Sequence, residues 1–347
     1  MAKVETKEKK ITSKPIKEIP PESAINKKST KSKKTTQSLE KPFLETIAGI
    51  GPTTRKRLEE AGYGSKEAIA LATRSQLTEI SGIAEKTAAL LIREARARFD
   101  LGLKKGTDYE VAAKTRVKLT TGSEAFNELL GGGLETGSVT EIAGENGCGK
   151  TQIAHQLAVN CVKYFDQDVI WIDSEGTFRF NRIVQMAQAL EIDPEVVLSR
   201  ITVGRAYNSE HQMALTEEAL TMVPNVGLIV VDSLMSHFRS EFAGRGTLAE
   251  RQQLIGRHLS FISKQTEILN CVGLVTNQVS ARPDGIFFGD PNRPVGGNVV
   301  GHTVTTRLMI RKGKDIKRTA TLTKSPELPD GKIEFSITTE GVRDYKK

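Results

Sequence analysis

The eight-residue run Gly144-Glu145-Asn146-Gly147-Cys148-Gly149-Lys150-Thr151 constrains this chain more than any other feature. It satisfies G-x-x-x-x-G-K-[ST] in full. An apolar run at 139–143 precedes it and an amphipathic stretch at 152–165 follows, so the pattern predicts strand, loop and helix in that order. Glycines there let backbone N–H groups curl around phosphate oxygens. Lys150 can reach the β- and γ-phosphates, and the Thr151 hydroxyl can hold Mg²⁺. Gln152 opens the helix beside them, and Cys148 reads as an inert filler within the loop, with oxidation sensitivity as the alternative.

From about residue 117 onward, β-rich runs alternate with helical segments: SVTEIAG, DVIWID, ITVG, GLIVVD, CVGLVTN, TVTTRLMIR, RTATLT and KIEFSI. Near-continuous apolar strands separated by helices predict an α/β fold with a mostly parallel sheet covered on both faces. The last three runs lie close together and are expected to be antiparallel at one edge. Leu228-Ile229-Val230-Val231-Asp232-Ser233 is an apolar strand ending in a carboxylate, which makes Asp232 the expected partner of Thr151 in holding magnesium. Glu175 ends another such run and can orient and polarise a water; Asp173, two residues earlier, is the rival for that role.

Residues 43–98 have helical periodicity and contain two similar passages. Ile47-Ala48-Gly49-Ile50-Gly51-Pro52-Thr53-Thr54 is followed by Leu58, and Ile80-Ser81-Gly82-Ile83-Ala84-Glu85-Lys86-Thr87 by Leu90 and Leu91. Each resembles a helix-hairpin-helix module, in which a glycine turn and a helix N-terminus offer N–H groups to a DNA phosphate. The first copy has Gly49, Gly51 and Arg55 beside the turn and is the better candidate. The second has Glu85 there and lacks the second glycine, so packing alone is its stronger reading.

The formal net charge is +8, but 12 of the 50 basic and 5 of the 42 acidic residues fall within 1–42, a net +7. The rest, 38 basic against 37 acidic, carries only +1, so any DNA site in the body is a local patch. Residues 1–42 have almost no large apolar side chains and read as a disordered lysine-rich tail. The N-terminus has no apolar core of a secretory signal, and no apolar run approaches the roughly 18–20 residues that span a bilayer. The three cysteines fit free thiols in a reducing compartment.

Asp173-Ser174-Glu175-Gly176-Thr177-Phe178-Arg179 resembles a signature segment of the archaeal–eukaryotic RadA-type recombinases. Similar segments include Leu119-Thr120-Thr121-Gly122-Ser123, Gly131-Gly132-Gly133-Leu134-Glu135-Thr136-Gly137, Thr276-Asn277-Gln278-Val279 and Ser325-Pro326-Glu327-Leu328-Pro329. The likeness runs from about 43 to 344. Neither LSGGQ nor NKxD, the marks of other P-loop classes, occurs in the sequence.

The resemblance implies a RecA-like P-loop ATPase core at 116–347, a helix-hairpin-helix domain at 43–98 and a linker at 99–115. It implies ATP and Mg²⁺ as cofactors and single- and double-stranded DNA as partners. Self-assembly into a helical filament or ring, mediator proteins and a cytoplasmic, nucleoid-associated location belong to the same expectation. By resemblance Glu175 is catalytic, and Gln278 senses the γ-phosphate and passes its state to the following loop. Arg179 lies near adenine, Pro329 caps a neighbour's nucleotide, and His302 relays nucleotide state or is a structural histidine. Arg239, Arg245 and Arg251 mark a first DNA loop; Arg282, Phe287, Arg293, Gly296, Gly297 and Asn298 mark a second. Two departures stand out. Leu103 and Gly106 occupy the places of the family's Phe-x-x-Ala polymerisation segment, which predicts weaker assembly by that route. Lys324 stands where the family has Asp, so its ammonium is expected to replace a recruited cation near the nucleotide. The alternatives are a paralogue or mediator that binds DNA and ATP without strand exchange, and a non-enzymatic ATP-binding scaffold.

Overall fold

The computed structural model describes residues 42–99, 101, 103, 105–223, 225–244, 246–281 and 292–346. The expected tail up to residue 41 lies outside the described residues. The N-terminal helices are α1 (Pro52–Glu60), α2 (Lys66–Leu71), α3 (Arg74–Thr78) and α4 (Glu85–Arg98). Their starts follow local chemistry. Pro52 presets the first turn of α1, Ser65 caps α2, and Thr73 with Gln76 forms a capping box on α3. Gly49 and Gly82 take φ values of 86° and 83°, which turn the chain so that Ile50 and Ile83 enter one core with Leu58, Leu77 and Leu91. The repeated passages are thus two hairpins that share a core.

The linker is more ordered than its charged composition suggests: α5 (Gly106–Ala113) is a helix, with Tyr109 and Val111 exposed. The core then runs β1 (Lys118–Leu119), α6 (Glu124–Leu129), β2 (Leu134–Glu135), β3 (Ser138–Gly144) and α7 (Lys150–Asn160). It continues through β4 (Asp168–Asp173), α8 (Phe180–Ala189), α9 (Pro194–Ser199), β5 (Ile201–Arg205), α10 (Ser209–Met222) and β6 (Val226–Asp232). Next come α11 (Ser236–Glu241), α12 (Leu248–Leu269), β7 (Val272–Ala281), β8 (Asn292–Pro294) and α13 (Gly297–Thr303). The chain closes with β9 (Thr306–Lys312), β10 (Lys317–Lys324), β11 (Gly331–Thr338) and β12 (Gly341–Asp344). The helix expected at 152–165 is α-helical only to Asn160; Cys161–Phe165 widens into a π-type turn that ends at Asp166 with φ 52°.

The main sheet has the order β12-β11-β10-β9-β3-β7-β6-β4-β5. Strands β9, β3, β7, β6, β4 and β5 are mutually parallel, and β10 to β12 add antiparallel at one edge. The expected class holds. Strand β12 and the short pair β1–β2 were not legible, because two to four residues are too few to show a period of two. Alternation along β4 divides the core: Val169 and Trp171 join one apolar cluster with α7 and α8, while Ile170 and Ile172 join the other with α11 and α12. Because the central strands are parallel, Gly144, Asp173, Asp232 and Gln278 all emerge at the same edge; Asp173 pairs in register with Asp232, and Gly144 with Gln278.

Candidate nucleotide site and flanking loops

The loop from Gly144 to Thr151 joins buried β3 to α7. Gly149 sits at φ 110°, where an added Cβ would strike the Ile337 side chain, and a Cβ on Gly144 would strike the Ile310 carbonyl. Both positions therefore require glycine, and the backbone N–H groups at the start of α7 are presented toward the sheet edge. Glu145, Asn146 and Gly147 form the exposed crest. Lys150 Nζ donates to the Gly144 and Glu145 carbonyls, each at 2.9 Å, and so is aimed across the loop mouth. Cys148 is buried, and burial raises its thiol pKa, which agrees with the inert reading. Gln152 accepts from Arg182 Nε at 2.7 Å, a structural tie to α8.

Asp232 is the hub of the strand edge. Thr151 Oγ1 donates to its Oδ2 at 2.8 Å and Thr177 Oγ1 to the same oxygen at 3.1 Å, while Thr276 Oγ1 donates to Oδ1. Burial raises the carboxyl's pKa and the hydroxyl bonds oppose that rise. An oxygen-rich pair such as Thr151 and Asp232 suits a hard cation.

The two carboxylates of the β4 end have different tasks. Asp173 is only 5% exposed and accepts the backbone N–H groups of Glu175, Gly176, Thr177 and Phe178 at 2.7–3.2 Å. Its two oxygens are engaged in shaping the turn. Glu175 is exposed, and its Oε1 accepts from Ser233 Oγ at 2.7 Å and from Gln278 Nε2 at 3.0 Å. Arg179 folds its guanidinium onto the Gly176 and Phe178 carbonyls.

His155 was not anticipated. Its Nδ1–H donates to the Thr151 carbonyl at 2.7 Å, and its Nε2 accepts the Arg179 amide at 3.0 Å. This holds one neutral tautomer between α7 and the turn after β4, packed against Trp171 and Phe178. Burial pushes its pKa down to about 4. The only sequence signal was its place one helical turn after Thr151, which a lone histidine shares with many core residues. Ser233, which donates to Glu175, and Thr276, which donates to Asp232, carry no signal of their own in the sequence.

The loops beyond the edge are divided. Arg239 is exposed on α11, whereas Arg251 turns back onto the Phe242 carbonyl at 3.3 Å. Arg245, Arg282 and Phe287 lie outside the described residues. Arg293 on β8 is exposed beside its antiparallel pairing with β7; Gly296 caps α13, and Gly297 and Asn298 are exposed at its start. His302 is exposed in the last turn of α13. Lys324 Nζ donates to the carbonyls of Gly301, His302 and Val304 at 2.8, 3.2 and 2.5 Å, so it closes the C-terminal end of that helix within its own chain. Burial and the nearby Arg307 lower its pKa. Pro329 is exposed next to Leu328, which covers Gly131.

In the N-terminal domain, Gly49 and Gly51 flank the buried Ile50 at an exposed turn. Arg55 Nε donates to the Ile50 carbonyl at 3.1 Å and its guanidinium pairs with Glu45 at 3.7 Å. Arg57 donates to the Ser81 carbonyl at 3.0 Å and so bridges the two hairpins. Leu103 in the linker is fully exposed, at 108%, and Gly106 is the exposed first residue of α5. Among the described residues, no helix is long and apolar enough to cross a membrane.

Comparison with known families gives two matches: residues 112–345 match Rad51, and residues 42–97 match the SAM-like helix-hairpin-helix tandem. The chain is 47% identical over 319 residues to the "DNA repair and recombination protein RadA" of Methanococcus voltae, covering 87% of this chain and 99% of that relative. The protein of the same name from Aeropyrum pernix is 45% identical over 308 residues, covering 87% and 96%. That from Methanococcus maripaludis is 46% identical over 319 residues, covering 87% and 99%.

Proposed function

The chain belongs to the Rad51 family, and on that premise we propose that it is an ATP-hydrolysing DNA recombinase that assembles head-to-tail on DNA and exchanges homologous strands. One juxtaposition carries the reading. Glu175, beside the P-loop edge, is hydrogen-bonded to Gln278 of β7, the strand that precedes β8 and the start of α13 in the chain. A group suited to hydrolysis and a group suited to reporting it along β7 therefore share a bond.

The residues fit a magnesium-bound nucleoside triphosphate: glycines whose missing Cβ leaves the loop free to close, a directed ammonium and two oxygen ligands. When bound, that group supplies the phosphoric anhydride to be cleaved. In this reading Gly144, Glu145, Asn146, Gly147, Cys148 and Gly149 wrap the phosphates. Lys150 offsets charge on them, and Thr151 and Asp232 hold the ion. Glu175 uses its second oxygen to orient the attacking water, and Gln278 registers the γ-phosphate by its side-chain amide. Gln152 and Arg179 steady the walls of the site through Arg182 and the Gly176 carbonyl. Pro329 serves as a cap on a neighbour's nucleotide, and Lys324 fixes α13 with a resident positive charge. Arg239, Arg293, Gly297 and Asn298 face DNA, with buried Gly296 setting the turn that presents them and Gly49, Gly51 and Arg55 as a second contact from the domain at 43–98. Leu103 and Gly106 serve assembly between copies.

The test is ATP turnover with and without single-stranded DNA, together with electron microscopy on single-stranded DNA with a non-hydrolysable ATP analogue. Stimulated turnover, a loss of at least about a hundredfold in Glu175→Gln, and regular helical filaments that require nucleotide are expected. Isolated particles with and without nucleotide would instead favour a mediator that does not exchange strands.

A further inference from the structure

Between β3, β7 and β9 lies a buried polar cluster to which the reading above assigns no task. Glu141, on β3 three residues before Gly144, is fully buried. Its Oε2 accepts from Arg307 Nε of β9, and its Oε1 accepts from Asn277 Nδ2 of β7 at 2.7 Å. The same Asn277 amide also donates to the Val295 carbonyl at 2.6 Å. The Val295 N–H donates back to the Gln278 carbonyl at 3.0 Å. Val295 is thus gripped on both sides by consecutive residues of β7, at the point where the chain enters α13.

Strand alternation separates the two grips. The Gln278 side chain goes to Glu175, and the neighbouring Asn277 goes to Glu141 and Val295. A buried carboxylate–guanidinium pair is a poor source of net stability and a good source of fixed geometry. The cluster is also not saturated: Asn277 Oδ1 and Arg307 Nη2 are buried without a partner among the described residues. A group kept for stability alone would be expected to fill those positions.

We propose that Asn277, anchored by Glu141, is a positioning residue that registers Val295 and the segment entering α13, which carries Arg293, Gly297 and Asn298, to the strand entering the P-loop, giving nucleotide and DNA a second line of coupling beside Gln278. This rests on the recombinase reading above. The segment is held at its start by Asn277 through Val295 and at its end by Lys324 through Gly301, His302 and Val304. The first hold leads directly to the P-loop strand. Loosening it frees the segment while leaving Lys150, Thr151, Asp232 and Glu175 in place.

The test uses the full chain as Asn277→Ser, with Glu141→Gln as a milder second variant that keeps an oxygen for the Asn277 amide. Three quantities are compared with wild type: affinity for a fluorescent ATP analogue, turnover without DNA, and the factor by which single-stranded DNA raises turnover. For Asn277→Ser, analogue affinity and basal turnover are expected within about twofold of wild type, with the stimulation factor reduced about tenfold. Glu141→Gln is expected to reduce that factor about threefold. An unchanged stimulation factor in whichever variant melts as a folded protein overturns the proposal. So does a loss of stimulation that merely tracks a loss of analogue affinity. A wild-type chain that DNA does not stimulate at all defeats the recombinase reading, and this proposal with it; a stimulated wild type with unaltered variants defeats only the proposal.

Discussion

The nucleotide edge and the linker differ in who holds their side chains. At the edge every functional group is gripped by its own chain: Asp232 by three hydroxyls, Asp173 by four backbone N–H groups, Lys150 by two carbonyls. In the linker, Leu103 is fully exposed, and Tyr109 and Val111 leave more than half of their apolar surface in solvent. An exposed leucine adds nothing to the folding of the chain that carries it. The edge is therefore organised before any partner arrives, while the linker's apolar residues can be buried only by another surface.

Acid should break this contrast first, because it attacks the organised part. Burial pushes His155, at the edge, and His258, enclosed on α12 against Phe238, down to about 4, below the ordinary 6.5. Their neutral forms are favoured by the fold, so the stability they contribute is fully present above pH 6.5 and is lost as pH falls from there toward 4. The loss is on the order of 2–3 kcal/mol each. Asp232, whose carboxyl burial raises, works in the opposite sense and offsets part of it. Melting temperatures between pH 7.5 and 5 should fall steeply, and His258→Gln should remove about half of the acid loss. A flat profile would mean that neither ring is enclosed.

Asp173→Ala comes next. It strips the acceptor from four backbone amides and should destabilise the chain by about 2–3 kcal/mol. Turnover should fall as well, through misplacement of Glu175, measured by denaturant unfolding and steady-state rates. A stable but inactive Asp173→Ala would return Asp173 to the role of catalytic rival.

The smallest effect on stability sharpens the comparison most. Leu103→Ser should leave the unfolding free energy within about 0.5 kcal/mol of wild type, yet lower light scattering from assembled protein. Leu103→Phe should raise the scattering. If Leu103→Ser lowers the melting temperature by several degrees, the residue belongs to the chain's own core.

Much of the chemistry was legible in advance because it is local. The P-loop is a contiguous run whose glycines, lysine and threonine act within a few residues of one another. An apolar run ending in Asp232 announces a strand ending at the same edge. The hairpins were legible for the same reason, since Gly49-Ile50-Gly51 and Gly82-Ile83-Ala84 combine a positive-φ turn with one buried side chain. The choice between Asp173 and Glu175 rested on the family resemblance and not on the chemistry of the two residues. Both are carboxylates at one strand end, and their different surroundings, four N–H groups on Asp173 against Ser233 and Gln278 on Glu175, come from the tertiary structure.

What the sequence determined by itself is the parallel α/β core, the phosphate loop and the edge at which the carboxylates gather, because periodicity and contiguous motifs are properties of neighbouring residues. Only the tertiary structure decided the pairing of Glu175 with Gln278, the bridging His155, the lysine that closes α13, and the cluster of Glu141, Asn277 and Arg307. Those contacts join residues from separate strands and helices, and hydrogen bonds of that reach depend on sheet order and register, which no single segment encodes.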